Sequence, residues 1–209
     1  MNELPLINVI SVISTVLPLI VGLYMYRWLR VEMKILLVLF FIASLVDGYS
    51  FYQAINRCSN VWILHFYTPL EYSILVLVFS YWQKEKLMKR ILRLSIPIFI
   101  LIFVLNKMFI ESTDYFDYIT ASVESIILLV ISVYVLYSLH DEKVDSFYKM
   151  PQFWVATAVL IYFAGNTLCF SLGRIIPIWI IPCILNIIAN LLYTGGFLCC
   201  RSQSSSVGA

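Results

Sequence analysis

The 23 residues Asn60–Trp82 (NVWILHFYTPLEYSILVLVFSYW) are long and apolar enough to cross a bilayer, yet they carry a carboxylate, Glu71, near their middle. A transmembrane helix needs about 20 mostly apolar residues. An acidic side chain at the bilayer centre costs about 2.5–3.5 kcal/mol on insertion scales. Such a residue is kept only where other helices surround it with polar groups. The stretch also holds His65, Thr68 and Pro69, and Pro69 has no N–H to donate to the His65 carbonyl. The sequence therefore predicts a helical bundle wrapped around Glu71.

The whole chain agrees. Of its 209 residues, 62% are hydrophobic and 12% charged, and its mean hydropathy is +0.92. A soluble domain is about 45–50% apolar and about 25% charged, so the chain falls in the membrane class. A net charge of +2 gives no footing for nucleic acid. Five cysteines without a C-x-x-C spacing point to neither a disulfide framework nor a zinc site. Adjacent Cys199 and Cys200 read as small apolar residues at a helix end, with lipidation as the alternative. The opening MNELPLINV lacks a basic n-region and a small-residue cleavage site, so the first apolar run reads as a membrane helix rather than a signal peptide.

Apolar runs place seven transmembrane helices at about 5–26, 35–56, 61–82, 91–110, 118–139, 153–173 and 178–200. The expected fold is thus all-α: one seven-helix domain over residues 1–201, followed by a disordered polar tail, Ser202–Ala209. Short connections predict that consecutive helices pack as antiparallel neighbours. Eleven of the fourteen Lys and Arg residues fall in the first, third and fifth loops and at Arg201. Positive residues stay inside, which puts the N-terminus outside and the C-terminus in the cytoplasm of a multi-pass protein of the cell (inner) membrane. The fourth loop, Glu111–Asp117, is acidic and outside. The basic segment Lys84–Arg93 sets topology and offers anionic lipid a contact. A cytoplasmic partner, if there is one, is expected at loops 83–93 and 140–152; the other expected partner is membrane lipid.

Asp47, Glu71 and Glu124 lie inside the second, third and fifth spans. At about 1.5 Å rise per residue, Asp47 and Glu71 come out near the midplane of a core about 30 Å thick. Glu124 comes out about 10 Å deep; Asn166 and Asn186 fall at a similar level in the last two spans, with Asn190 somewhat deeper, while the inner halves are mostly Leu, Ile, Val and Phe. Cys183, Asn186, Asn190 and Thr194 share one helical stripe; Tyr162, Asn166, Cys169 and Gly173 share another. Ser44, Asp47 and Ser50 form a third, with Gly48 beside them to let a neighbouring helix approach. The fourth span has almost nothing polar in its middle and is expected to be the most lipid-exposed. No Lys or Arg shares the layer, so at least one of the three acids carries a proton or a cation sits among them. Candidate ligand-binding residues are Glu71, Asp47 and Glu124, with Asn166, Asn186, Asn190, His65 and Thr68 around them; no cofactor and no metal site is expected.

Comparison with known seven-helix families removes several possibilities. The last span lacks the lysine that microbial rhodopsins use for retinal, and the chain has only two histidines, His65 and His140, too few for a ceramidase-like zinc cluster. Asp47 and Asn190-Leu191-Leu192-Tyr193 only loosely echo rhodopsin-like receptors, since the N-P-x-x-Y proline is missing and Ser80-Tyr81-Trp82 stands where D-R-Y would. In general character the chain resembles the membrane lysoplasmalogenases, which implies intramembrane aspartate chemistry, but it matches no motif of theirs. The reading carried forward is non-enzymatic: the polar layer binds a small or lipidic ligand, a cation or a proton, for sensing or transport. The alternatives are a carboxylate-dependent lipid hydrolase and an oligomeric accessory or pore subunit, for example of a bacterial defence system.

Overall fold

The computed structural model describes residues 6–110, 118–140, 147–172 and 180–206. The loop Glu111–Asp117, residues 141–146 of the fifth loop, Gly173, Arg174, Trp179 and the two chain ends lie outside the described residues. The helices are α1 (Leu6–Tyr24), α2 (Val31–Ile55), α3 (Val61–Trp82), α4 (Lys86–Phe109), α5 (Tyr118–His140), α6 (Pro151–Leu172) and α7 (Ile180–Ser206). Short 3-10 turns at Tyr26–Trp28 and Phe147–Lys149 precede α2 and α6. No strand occurs among the described residues. All seven α-helices are long and apolar enough to cross a membrane by length and composition, a build compatible with an integral, multi-pass membrane protein.

The helices outrun the apolar runs that announced them. Lys86–Arg90 and Val31–Lys34 join α4 and α2, because Lys, Arg, Glu and Met are good helix formers outside an apolar core. The helix α7 continues to Ser206, so residues 202–206 are helical rather than part of an unstructured tail. Nothing in RSQSSS, neither Pro nor Gly, compels a stop. By contrast α2 stops sharply. Arg57 adopts φ 57°, Cys58 N–H donates to the Gln53 carbonyl at 2.9 Å, and Arg57 N–H to that of Ala54 at 3.2 Å. This is a left-handed Schellman cap with Arg in place of the usual glycine.

Six helices close a ring: α1 packs on α2 and α7, α2 on α3, α3 on α5, α5 on α6 and α6 on α7. The expected sequence of neighbours fails at α4, which packs chiefly on α3 and lies outside the ring. Its buried residues, Leu92, Phe99 and Asn106, step by seven along one narrow line, enough for one partner and too little for two. Phe99 stacks on Tyr72 with centroids 4.0 Å apart, Tyr72 donates to Ser95 Oγ at 2.9 Å, and Asn106 Nδ2 donates to Thr120 Oγ1 of α5 at 2.9 Å. The membrane-crossing stretch of α4 has the smallest buried share of the seven, in line with its expected exposure.

The apolar core gathers at the end where α2 and α6 begin and α3 and α7 finish. Leu36, Leu75, Val76, Phe79, Val155, Val159 and Phe197 are all fully enclosed there. Two glycines test this packing from opposite sides. A Cβ on Gly195 would come within 2.9 Å of the Trp154 ring, and that indole is held by its own N–H, which donates to the Tyr148 carbonyl at 2.7 Å. Gly48, expected to admit a neighbouring helix, has no atom within 4 Å of its would-be Cβ; it faces outward. Gly195→Val is therefore expected to destabilise the protein by about 1–3 kcal/mol, while Gly48→Ala leaves thermal unfolding in detergent unchanged or slightly raised.

Candidate functional site

A stripe of small polar residues on α1 starts the site. Ser11, Thr15, Pro18 and Gly22 are the buried residues of this helix, spaced by four, three and four so that they share one face. That face meets the polar stripe of α7 rung by rung. The Cys183 thiol donates to Asn8 Oδ1 at 3.2 Å, Asn186 Nδ2 donates to Ser11 Oγ at 3.0 Å, and Asn190 Nδ2 donates to Ser14 Oγ at 2.9 Å and Thr15 Oγ1 at 3.4 Å. Thr15 passes its own proton on, donating to Asp47 Oδ2 of α2 at 2.7 Å. One short chain of hydrogen bonds thus ties α7, α1 and α2 together and ends on a carboxylate.

The second acid is positioned within its own helix. Tyr67 lies one turn before Glu71 on α3 and donates to Glu71 Oε1 at 3.3 Å, the neighbour relation of residues four apart. Around Pro69, the Thr68 hydroxyl donates to the Leu64 carbonyl at 3.1 Å and the Ser73 hydroxyl to the Pro69 carbonyl at 2.6 Å. Each hydroxyl bonds the carbonyl one turn back in its own helix, on either side of the proline.

Two cavities flank this region. The first, about 100 Å³, is lined on its polar side by Thr15, Asp47, Tyr67, Glu71, Tyr162, Asn186 and Asn190, with Phe40 and Tyr193 closing it. The second, about 170 Å³, is lined by Asp47, Tyr67, Thr68, Glu71, Glu124, Ser125, Tyr162 and Asn166. Asp47, Tyr67, Glu71 and Tyr162 belong to both, so they form a shared wall. Among the described residues no Lys, Arg or His lines either cavity. Glu124 and Asn166 are almost fully enclosed, and Asn166 Oδ1 meets no hydrogen-bond donor. Among the described residues no three His, Cys, Asp or Glu side chains come close enough to hold a metal ion, although three carboxylates line the second cavity.

Seven of the eight residues singled out in the sequence therefore line one cavity or both: Asp47, Glu71, Thr68, Glu124, Asn166, Asn186 and Asn190. His65 is buried but lines neither. Sequence reasoning missed the first helix altogether, although Asn8, Ser11, Thr15, Pro18 and Gly22 stand at helical spacing. It also missed Tyr67, which four-residue spacing from Glu71 would have flagged, and Tyr193.

The arrangement is rich in acceptors and aromatic faces and lacks a fixed positive charge. It can surround a small species that donates hydrogen bonds or carries positive charge, using carboxylate oxygens, phenol oxygens and ring faces. Liquid water occupies about 30 Å³ per molecule, so these volumes suit a few waters or one small ion with its partners. Because Thr15 and Asn190 act in one chain, their removal should be non-additive. Thr15→Val and Asn190→Leu are each expected to cost about 0.5–1.5 kcal/mol. The double variant should cost less than their sum by about 0.5 kcal/mol or more in thermal unfolding.

Compared with protein-family models, curated proteins and solved structures, the chain matches none, and function rests on the geometry of this site.

Proposed function

We propose that this is an integral membrane protein that binds a small monovalent cation at the wall formed by Asp47, Tyr67, Glu71 and Tyr162, and that occupancy serves sensing or transport. The observation that carries the reading is that wall: two carboxyl groups and two tyrosines face two cavities at once, and among the described residues no basic side chain lines either. Two buried carboxyl groups with no basic side chain beside them among the described residues are neutralised from outside the fold, by protons or by a cation, and the two cavities give a cation room beside them. The absence of a three-ligand cluster among the described residues favours a single positive charge over a multivalent metal. With the N-terminus outside, as the basic residues indicate, the cavities lie toward the outer face and the apolar core toward the cytoplasm.

Size separates this reading from the lipid hydrolase. Pockets that take drug-sized molecules measure about 300–1,000 Å³, and the cavities beside the acids measure about 100 and 170 Å³. A lipid ester with its chains does not fit there. The enclosed plug of Leu75, Phe79, Val155 and Phe197 likewise speaks for a closed site rather than an open pore.

The test is cation-dependent stabilisation of the purified protein in lipid nanodiscs. Sodium, potassium, ammonium and methylammonium are titrated against an inert bulky cation. A ligand at 100 times its Kd stabilises by about 2.7 kcal/mol. One of the four should raise the unfolding temperature in a saturable way. Glu71→Gln should abolish the response and Asp47→Asn weaken it about tenfold or more, with both variants folded. An unchanged response in Glu71→Gln, or no response to any of the four, overturns the proposal.

A further inference from the structure

A larger cavity, about 310 Å³, opens at the opposite end of the bundle and shares no residue with the carboxylate wall. Arg27, Trp28, Arg30, Glu32, Trp82 and Gln152 supply its polar and aromatic lining. We propose that this cavity binds an anionic phosphate ester bearing a free hydroxyl, the chemistry presented by a phosphoglycerol headgroup of a membrane lipid or by a soluble glycerol phosphate.

Charge is the first reason. Among the described residues Arg27 and Arg30 line the cavity with one acid, Glu32, an excess of positive charge. The planar guanidinium matches phosphate oxygens two at a time, which lysine does not. Arg201 lies over the Trp28 ring at 5.7 Å from its centroid, which brings a third guanidinium to the rim. The backbone adds to this. The helix α2 starts at Val31 with no side-chain cap from Arg30, so its first-turn amides have no partner within the helix and carry the positive end of its dipole. Arg30, Glu32 and Met33 at that helix start all line the cavity, as does Pro151 at the start of α6.

Gln152 is the second reason and an independent one. Its Oε1 is buried and accepts no hydrogen bond, and a buried polar atom without its match is costly. A phosphodiester alone has no O–H donor and cannot satisfy a carbonyl oxygen. A hydroxyl on the same ligand can. The volume fits a headgroup and excludes the acyl chains, while Trp28 and Trp82 are the aromatic type that sits at the membrane–water boundary. This inference does not depend on the cation reading of the other cavities.

Native mass spectrometry of protein released from nanodiscs containing equal phosphatidylglycerol and phosphatidylcholine tests the proposal. The wild type should retain one phosphatidylglycerol. Arg27→Gln with Arg30→Gln should cut retention about tenfold, and in nanodiscs of equal phosphatidylglycerol and phosphatidylmethanol Gln152→Leu should erase the preference for phosphatidylglycerol over this anionic diester without the hydroxyl. The control is Arg57→Gln with Lys149→Gln, which removes the same charge from exposed positions outside the cavity; it should retain lipid as the wild type does. Thermal unfolding confirms that each variant is folded. If no lipid stays bound but glycerol 3-phosphate binds in calorimetry with the same arginine dependence, the site stands and its ligand is soluble. Equal loss in the control pair, or no binding of either probe, overturns the proposal.

Discussion

The hydrogen bond from Thr15 to Asp47, 2.7 Å long, is the interaction on which the interior depends. A carboxylate in the middle of an apolar helix is costly unless partners come to it, and here the partner comes from a different helix. Thr15 can serve only because α1 lies against both α2 and α7. Asn190 and Asn186 of α7 hold α1 in that place through Ser14, Thr15 and Ser11. Removing apolar surface from water does not distinguish one helix pairing from another inside a lipid phase, where small residues and polar contacts decide it. The chain of hydrogen bonds from Asn190 to Asp47 is such a contact, and it closes the ring where the two ends of the sequence meet.

The ring then divides along its length. A layer of Leu, Val and Phe side chains with no solvent exposure fills the ring; on one side of it lie small cavities bounded by acids, phenols and amides, and on the other the arginine-lined cavity. α4, seated outside the ring, joins the core through its single buried line of Leu92, Phe99 and Asn106. It is tied to α5 by Asn106 and Thr120 and to α3 by the stacked pair Tyr72 and Phe99.

The helices were legible in the sequence because a 20-residue apolar run has few other uses. Their ends were not, because Lys, Glu and Arg extend a helix as readily as they mark its exit from an apolar core: α4 begins at Lys86 and α2 at Val31, several residues ahead of the runs. The acids and asparagines were legible through depth and phase. Asp47, Glu71, Glu124, Asn166, Asn186 and Asn190 do converge on the cavities. What stayed hidden was partnership. Small hydroxyl residues such as Ser11, Ser14 and Thr15 satisfy their needs inside a single helix often enough that nothing marks them as bridges. Gly48 shows the opposite error, a glycine beside an acid that turns outward and meets nothing. Which side of a helix finds a neighbour is decided by the ring as a whole, and no single span carries that information.

Infrared difference spectroscopy on protein in lipid films tests the central claim most directly, because it watches the carboxyl groups themselves. Perfusion alternates between the stabilising cation and an inert one. If Asp47 and Glu71 hold the cation, carboxyl and carboxylate bands change together on exchange, and the change diminishes in Asp47→Asn and Glu71→Gln while amide bands of the helices stay small. A difference spectrum without carboxyl bands, or one identical in both variants, would show that the acids serve packing alone.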